Sequence, residues 1–107
     1  MALHHASSGE LIALTRIDSE VAQSHSVALA KTEHLELIRM VLPKGKALPT
    51  HSVPGELTFQ CLQGEIAFEA HGRTIVLHAN EMLYLAAGEP YAMSANADSL
   101  ALLTILR

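Results

Sequence analysis

Short apolar stretches recur along the chain from residue 26 onward, and residues typical of turns divide them. Each stretch is the length of a β-strand, and no part of the chain has a sustained helical stripe with start and stop signals. The short, regular spacing predicts an all-β sandwich or barrel. We predict strands over residues 27–31, 34–42, 57–62, 65–70, 74–77, 82–85, 91–94 and 100–106.

Turn residues set the limits of these strands. Pro43, Gly45 and Pro49 are predicted to break the chain between the second and third strands. His71-Gly72 lies between two predicted strands, and a two-residue connection of this kind predicts an antiparallel hairpin. Residues 10–17 fit either a short strand or a short helical stretch, because neither period persists over them.

The alternation along residues 56–62 determines which side chains face the interior, since a shift by one residue reverses all of them. One register buries Leu57, Phe59 and Cys61. The other buries Glu56, Thr58 and Gln60. The first gains about 25 cal/mol per Å² of apolar area removed from water, whereas the second costs about 1–3 kcal/mol per unpaired polar group. We therefore predict the first register, unless a bulge at Pro54-Gly55 turns Glu56 inward.

Length, charge and cysteine content restrict the function. The 107 residues fit one domain, with residues 1–25 as an N-terminal lead and edge strand and residues 26–107 as the barrel. The net charge is −4 and the basic residues are scattered, which argues against nucleic-acid binding. Neither a membrane span nor a secretory signal is expected from the apolar pattern. Cys61 is the single cysteine; its apolar strand favours a buried side chain over a reactive thiol and fits a reducing, cytoplasmic location.

Two stretches of the chain follow the spacing of a known pair of motifs. Gly45, His51 and Gly64 fit the first motif, and a second group fits the other: Asn80, Ala86, Gly88 and Tyr91. On these residues the chain resembles a small single-domain cupin of the RmlC-like type, over residues 33–106. The resemblance implies a double-stranded β-helix, or jelly-roll barrel, and a homodimer. Asn80 replaces a turn glycine there, and Asn tolerates the left-handed backbone conformation well.

The same resemblance implies that a metal would be held by two His and one Glu from the first motif and one His from the second. Only His51 matches, because Val53, Leu57 and Tyr91 occupy the other three positions. Glu56 lies one residue before the expected glutamate. A metal site needs three or more convergent protein ligands, so the sequence disfavours a tight one. A divalent ion held through His51 is the disfavoured alternative.

The candidate ligand pocket is the barrel interior near His51, with Tyr91 expected on the opposite side. We expect seven residues to line it: His51, Val53, Leu57, Phe59, Cys61, Tyr91 and Met93. His51 is either a ligand contact or a histidine satisfied by backbone or water, and Tyr91 either orients a ligand or fills the space of the metal. The first functional hypothesis is a small-molecule-binding cupin without tight metal. The alternative is a small enzyme, either an isomerase or epimerase or a metal-dependent dioxygenase, that uses His51 and Tyr91.

Overall fold

A computed structural model describes residues 5–14 and 26–107. The described residues form nine β-strands and no helix, so none of them lies in a helix that could span a membrane. The strands are β1 (Val27–Lys31), β2 (Leu35–Leu42), β3 (Ala47–His51), β4 (Leu57–Gln63), β5 (Glu65–Ala70), β6 (Arg73–His78), β7 (Glu81–Leu85), β8 (Tyr91–Ala95) and β9 (Ser99–Leu106).

The strands form two antiparallel sheets that pack face to face. The five-stranded sheet has the order β1-β2-β9-β4-β7, and the four-stranded sheet has the order β3-β8-β5-β6. Successive strands change sheets several times, which is the arrangement of a jelly roll. The predicted all-β jelly-roll fold is therefore confirmed.

All eight predicted strands are present, and β1 and β5 have the predicted bounds. β3 was not predicted, because Pro49 lies inside it and Gly45 comes just before it. The predicted break is present at Pro43 and Gly45, between β2 and β3, but the prediction was wrong for Pro49, since β3 is an edge strand that pairs with β8. Proline is tolerated at such an edge, and the register of β3 shifts between Leu48 and His51.

Two turns adopt the left-handed backbone that the sequence predicts. His71 and Gly72 have φ angles of 53° and 72°, the pattern of a type I′ hairpin turn, and Ala70 pairs with Arg73 across them. The predicted hairpin is confirmed. Asn80 has a φ of 70°, so it takes the place of a turn glycine as expected.

Inward-facing apolar side chains of the two sheets form the core. Leu57, Phe59 and Cys61 are buried, which confirms the predicted register of β4. Phe59 packs on Phe68 of the opposite sheet, with 5.1 Å between the ring centroids. The alternative, in which a bulge at Pro54-Gly55 turns Glu56 inward, is wrong because Glu56 is exposed.

The N-terminal lead lies against the outer face of the five-stranded sheet. The Ala6 amide donates a hydrogen bond to the Leu29 carbonyl, and Leu14 packs against a small cluster formed by Val41, Leu62 and Leu100. Residues 10–14 are neither strand nor helix. The rest of the expected element, residues 15–17, and the remainder of the expected edge-strand region to residue 25 lie outside the described residues.

Candidate functional site

One end of the barrel contains a cavity of about 370 Å³ between the two sheets, which we call the mouth cavity. Its lining is mainly aliphatic and comes from β2, β3, β8, β9 and the segment after β3. The lining residues are Ile38, Met40, Leu48, Pro49, Thr50, His51, Val53, Tyr91, Ala92, Met93, Leu103 and Ile105. Its size falls in the range of small-molecule sites, and its few polar groups can fix the orientation of a ligand.

His51 is the last residue of β3 and lies at the rim of the mouth cavity. Its register partner on β8 is Tyr91, and the two rings meet edge to face with 5.8 Å between centroids and an interplanar angle of 72°. The two side chains are therefore neighbours on adjacent strands. The expectation that Tyr91 lies on the opposite side of the pocket was wrong, because β3 and its pairing with β8 were not predicted.

His51 is exposed, and its side chain makes no hydrogen bond or ion pair with the part of the chain that the structure describes. The expectation of a histidine satisfied by the backbone therefore has no support among the described residues. A neutral imidazole has one donor and one acceptor nitrogen. His51 can thus donate to or accept from a polar group of a ligand in the mouth cavity.

Tyr91 begins β8, is buried, and lines the mouth cavity. Its ring stacks on Phe68 with 5.5 Å between centroids and 5° between planes, so it forms part of the cavity wall. Burial raises the pKa of the Tyr91 hydroxyl, which keeps the group neutral near physiological pH. The hydroxyl has no hydrogen-bond partner among the described residues. Tyr91 therefore forms part of the cavity wall and has a hydroxyl that can donate a hydrogen bond.

The structure brings together four of the seven expected pocket residues: His51, Val53, Tyr91 and Met93. The other three, Leu57, Phe59 and Cys61, are buried in the core and do not line the cavity. The Cys61 thiol hydrogen-bonds the Gln63 carbonyl at 3.4 Å, and burial raises the pKa of Cys61, which favours the unreactive thiol.

The lining residues of β2 and β9 were not predicted from the sequence. Ile38 and Met40 of β2 face the cavity, as do Leu103 and Ile105 of β9. A signal was present, because the strand predicted over residues 34–42 has apolar residues on both faces and must be covered on both sides. Strand pattern alone does not show which part of that covered face borders empty space.

Comparison with known proteins now identifies the family. Residues 38–106 match the family model for the cupin domain, which is well over half of the chain. The protein is a cupin. No match to a curated protein was found. The mouth cavity is therefore the open end of a cupin barrel.

Solved structures similar to this cupin have the same fold. An RmlC-like cupin from Desulfovibrio desulfuricans is 26% identical, with a TM-score of 0.70 over 95% of this chain and 97% of the other. A conserved protein of unknown function from Streptococcus pyogenes is 18% identical, with a TM-score of 0.77 over 100% and 95% of the two chains. Salicylate 1,2-dioxygenase from Pseudoaminobacter salicylatoxidans is 21% identical, with a TM-score of 0.58 over 66% of this chain and 20% of the enzyme.

The residues of this cupin do not fit the metal that the family pattern implies. Val53 and Tyr91 lie in the cavity wall beside His51, and Leu57 is buried in the core. The Glu56 carboxylate instead accepts a hydrogen bond from the exposed Tyr84 hydroxyl on the outside of the barrel. Among residues 5–14 and 26–107, no group of three or more His, Cys, Asp or Glu side chains could hold a metal ion.

Proposed function

We propose that this cupin binds a small, largely apolar molecule in the mouth cavity and does so without a tightly bound metal. The observation that supports the proposal is the chemistry of the lining, in which aliphatic side chains surround one exposed histidine and one unpartnered tyrosine hydroxyl. Transfer of apolar ligand surface into the cavity is worth about 25 cal/mol per Å². His51 and Tyr91 would then orient the ligand through hydrogen bonds.

The first test fills the cavity. Leu48 is half-buried and lines the cavity, so the larger side chain of Leu48→Trp should occupy the space of a ligand. We expect this variant to abolish binding of a neutral bicyclic aromatic probe such as 2-naphthamide. Val76→Trp is the matched control, because Val76 is 43% exposed on β6 and does not line the cavity. Thermal shift and calorimetric titration measure the binding. Equal binding to both variants, or no binding to the wild type, would contradict the proposal.

The second test concerns metal. Elemental analysis of protein purified without a His tag should show no stoichiometric iron, manganese, zinc or nickel. His51→Ala provides the comparison, because His51 is the one family ligand position that this chain retains. Stoichiometric metal in the wild type that is lost in His51→Ala would overturn the metal-free part of the proposal.

An enzyme is the second candidate, and the proximity of His51 and Tyr91 favours it. Two groups that can exchange protons border the same cavity, with 5.8 Å between their ring centroids. Proton transfer of the isomerase or epimerase type would suit them, whereas a dioxygenase would need the metal ligands that are replaced. Deuterium incorporation from D₂O into a bound carbon acid, lost in both His51→Gln and Tyr91→Phe, would favour this candidate over simple binding.

We also propose a homodimer that forms through the exposed face of β7. Met82 and Tyr84 are 60% and 61% exposed on this edge strand, and adjacent exposed apolar residues favour association. Light scattering should give the mass of a dimer for the wild type and of a monomer for Met82→Glu, with Val76→Glu as the control. A monomeric wild type would refute the proposed dimer.

A cytoplasmic location completes the proposal, in keeping with the buried free thiol of Cys61.

A further inference from the structure

A second hollow, of about 470 Å³, lies beside the mouth cavity. Val53 and Ile105 line both spaces, so their side chains form the shared border. Pro54 and Gly55 of the loop before β4 border the second hollow only. A ligand in the mouth cavity that extends past Val53 therefore reaches the second hollow, which we call the side hollow.

The two spaces differ in their charged groups. The mouth cavity contains no Lys, Arg, Asp or Glu, whereas the side hollow contains Lys31, Glu36 and Arg107. The Arg107 guanidinium pairs with the Glu36 carboxylate at 3.6 Å between Nη1 and Oε1. Lys31 lies opposite Glu36 on β1, but its ammonium has no ion pair or hydrogen bond with the described residues. One positively charged side chain of the side hollow therefore has no ion-pair partner within residues 5–14 and 26–107.

The side hollow has two cationic side chains and one carboxylate, and that carboxylate, on Glu36 opposite Lys31, pairs with Arg107. Glu56 is the next residue after the Pro54-Gly55 wall, and its carboxylate accepts a hydrogen bond from Tyr84 instead. The side chains of the side hollow therefore carry a local excess of one positive charge, although the whole chain has a net charge of −4. An anion is the chemical group that such a position attracts.

We propose that the ligand of the mouth cavity is an apolar acid whose ring or chain lies against the aliphatic lining and whose carboxylate crosses Val53 to meet Lys31. This inference rests on the proposed function, since it assigns the polar end of a molecule that the mouth cavity binds. His51, at the rim of the mouth cavity, would contact a second polar group or the ring edge.

A matched pair of probes tests the assignment. 2-Naphthoate and 2-naphthamide share the apolar ring system and differ in charge, so their affinity ratio isolates the contribution of the anion. At pH 8, where an ordinary histidine is neutral, wild-type protein should bind the acid about threefold to fivefold more tightly than the amide, the range of a partly exposed ion pair. High salt should reduce that ratio.

Three variants separate the possible causes. Lys31→Gln should reduce the affinity ratio to about one, chiefly through weaker binding of 2-naphthoate. Lys44→Gln is the control, because Lys44 lies in the turn after β2, at the other end of that strand from Glu36, and should leave the ratio unaltered. A ratio that falls in His51→Gln but not in Lys31→Gln would place the anion at His51 and overturn the inference.

The outcomes also separate this inference from the proposal on which it depends. Equal binding of both probes to the wild type, with loss of both in Leu48→Trp, would preserve the apolar site and refute the acid. Failure of both probes to bind the wild type would contradict the two together. Folding of each variant is checked by its thermal unfolding midpoint.

Discussion

Each end of the barrel carries a histidine, and the surroundings of the two histidines differ. His51 lies at the open end, where its ring meets the Tyr91 ring edge to face. His78 lies at the opposite end, where Nε2 is 3.1 Å from Glu65 and Nδ1 is 3.3 Å from Glu81. The His51 and Tyr91 side chains at the open end have no hydrogen-bond partner among the described residues, whereas His78 at the other end belongs to a hydrogen-bonded network.

The network closes its end of the barrel and connects the two sheets. Asn96 donates to the second oxygen of Glu65 at 2.8 Å, and the buried Ser99 hydroxyl accepts from the Glu65 amide at 3.1 Å. His78 and Glu81 belong to different sheets, because β6 lies in one and β7 in the other. Satisfied polar groups stabilise a fold, whereas unsatisfied ones beside a cavity remain available to a ligand. The difference between the ends supports a structural role for the network and is consistent with the proposed binding site at the open end.

The largest expected effect is at the closed end, in Gly64→Ala. Gly64 has a φ of 87°, and a Cβ atom there would overlap Ser99 and the Asp98 carbonyl. We expect a loss of about 2–4 kcal/mol in the free energy of unfolding, from backbone strain plus overpacking. Gly45→Ala is the control, since Gly45 has a φ of 86° but no atom near the new Cβ, and should cost about 1–2 kcal/mol. Urea unfolding measures both; equal losses would refute the packing contribution.

Removal of a single hydroxyl should lower the free energy of unfolding at the closed end and leave it almost unchanged at the open end. Ser99→Ala leaves the Glu65 amide without its acceptor in a buried position, so we expect a loss of about 1–2 kcal/mol. Tyr91→Phe removes a hydroxyl that has no partner among the described residues, so stability should change by less than about 0.5 kcal/mol. If Tyr91→Phe proved as destabilising as Ser99→Ala, the distinction between the ends would be lost.

The same two variants should show the opposite order in ligand affinity, with the larger loss in Tyr91→Phe. Tyr91→Phe is expected to weaken binding of 2-naphthamide about threefold to tenfold, the range for loss of one hydrogen bond, because the proposed function has the Tyr91 hydroxyl orient the ligand. Ser99→Ala should leave affinity unchanged at temperatures where the variant is folded, since Ser99 does not line the mouth cavity. Calorimetric titration checks both, and weaker binding in Ser99→Ala alone would contradict the assignment.

The smallest expected effect is the contribution of Glu81 to the pH dependence of stability. Hydrogen bonds from the His78 backbone amide and side chain lower the pKa of Glu81 in the folded state. A lowered folded-state pKa contributes stability above the ordinary pKa of the carboxyl, and that stability is lost as pH falls through the folded value. The difference in unfolding midpoint between wild type and Glu81→Gln should therefore shrink on acidification below the ordinary carboxyl range. A difference in unfolding midpoint that grew on acidification would contradict a lowered pKa for Glu81 in the folded state.

The sequence predicts most of the frame because strands and turns depend on local pattern. The alternation of β4 predicts that Leu57, Phe59 and Cys61 face inward, and the φ angles of His71 and Asn80 follow from turn chemistry. The site is less predictable for two reasons. β3 contains a proline, so its pairing with β8 depends on its place at a sheet edge.

Depth inside the barrel is the second reason. Alternation gives the direction of a side chain but not its distance from the open end, so Phe59 and Cys61 were expected in the pocket and lie in the core instead. The gap between the sheets depends on the packing of all strands together. The side hollow was missed for the same reason, because Lys31 and Ile105 are far apart in the chain.

Calorimetric titration of 2-naphthamide into metal-stripped wild-type protein, with Leu48→Trp titrated in parallel, tests the central claim most directly. Stripping with a chelator should leave the wild-type affinity unchanged, because the residues around His51 do not fit a metal. Leu48→Trp should show no binding heat. Binding that requires restored metal, or binding that survives in Leu48→Trp, would contradict the assignment of the mouth cavity as a metal-free ligand site.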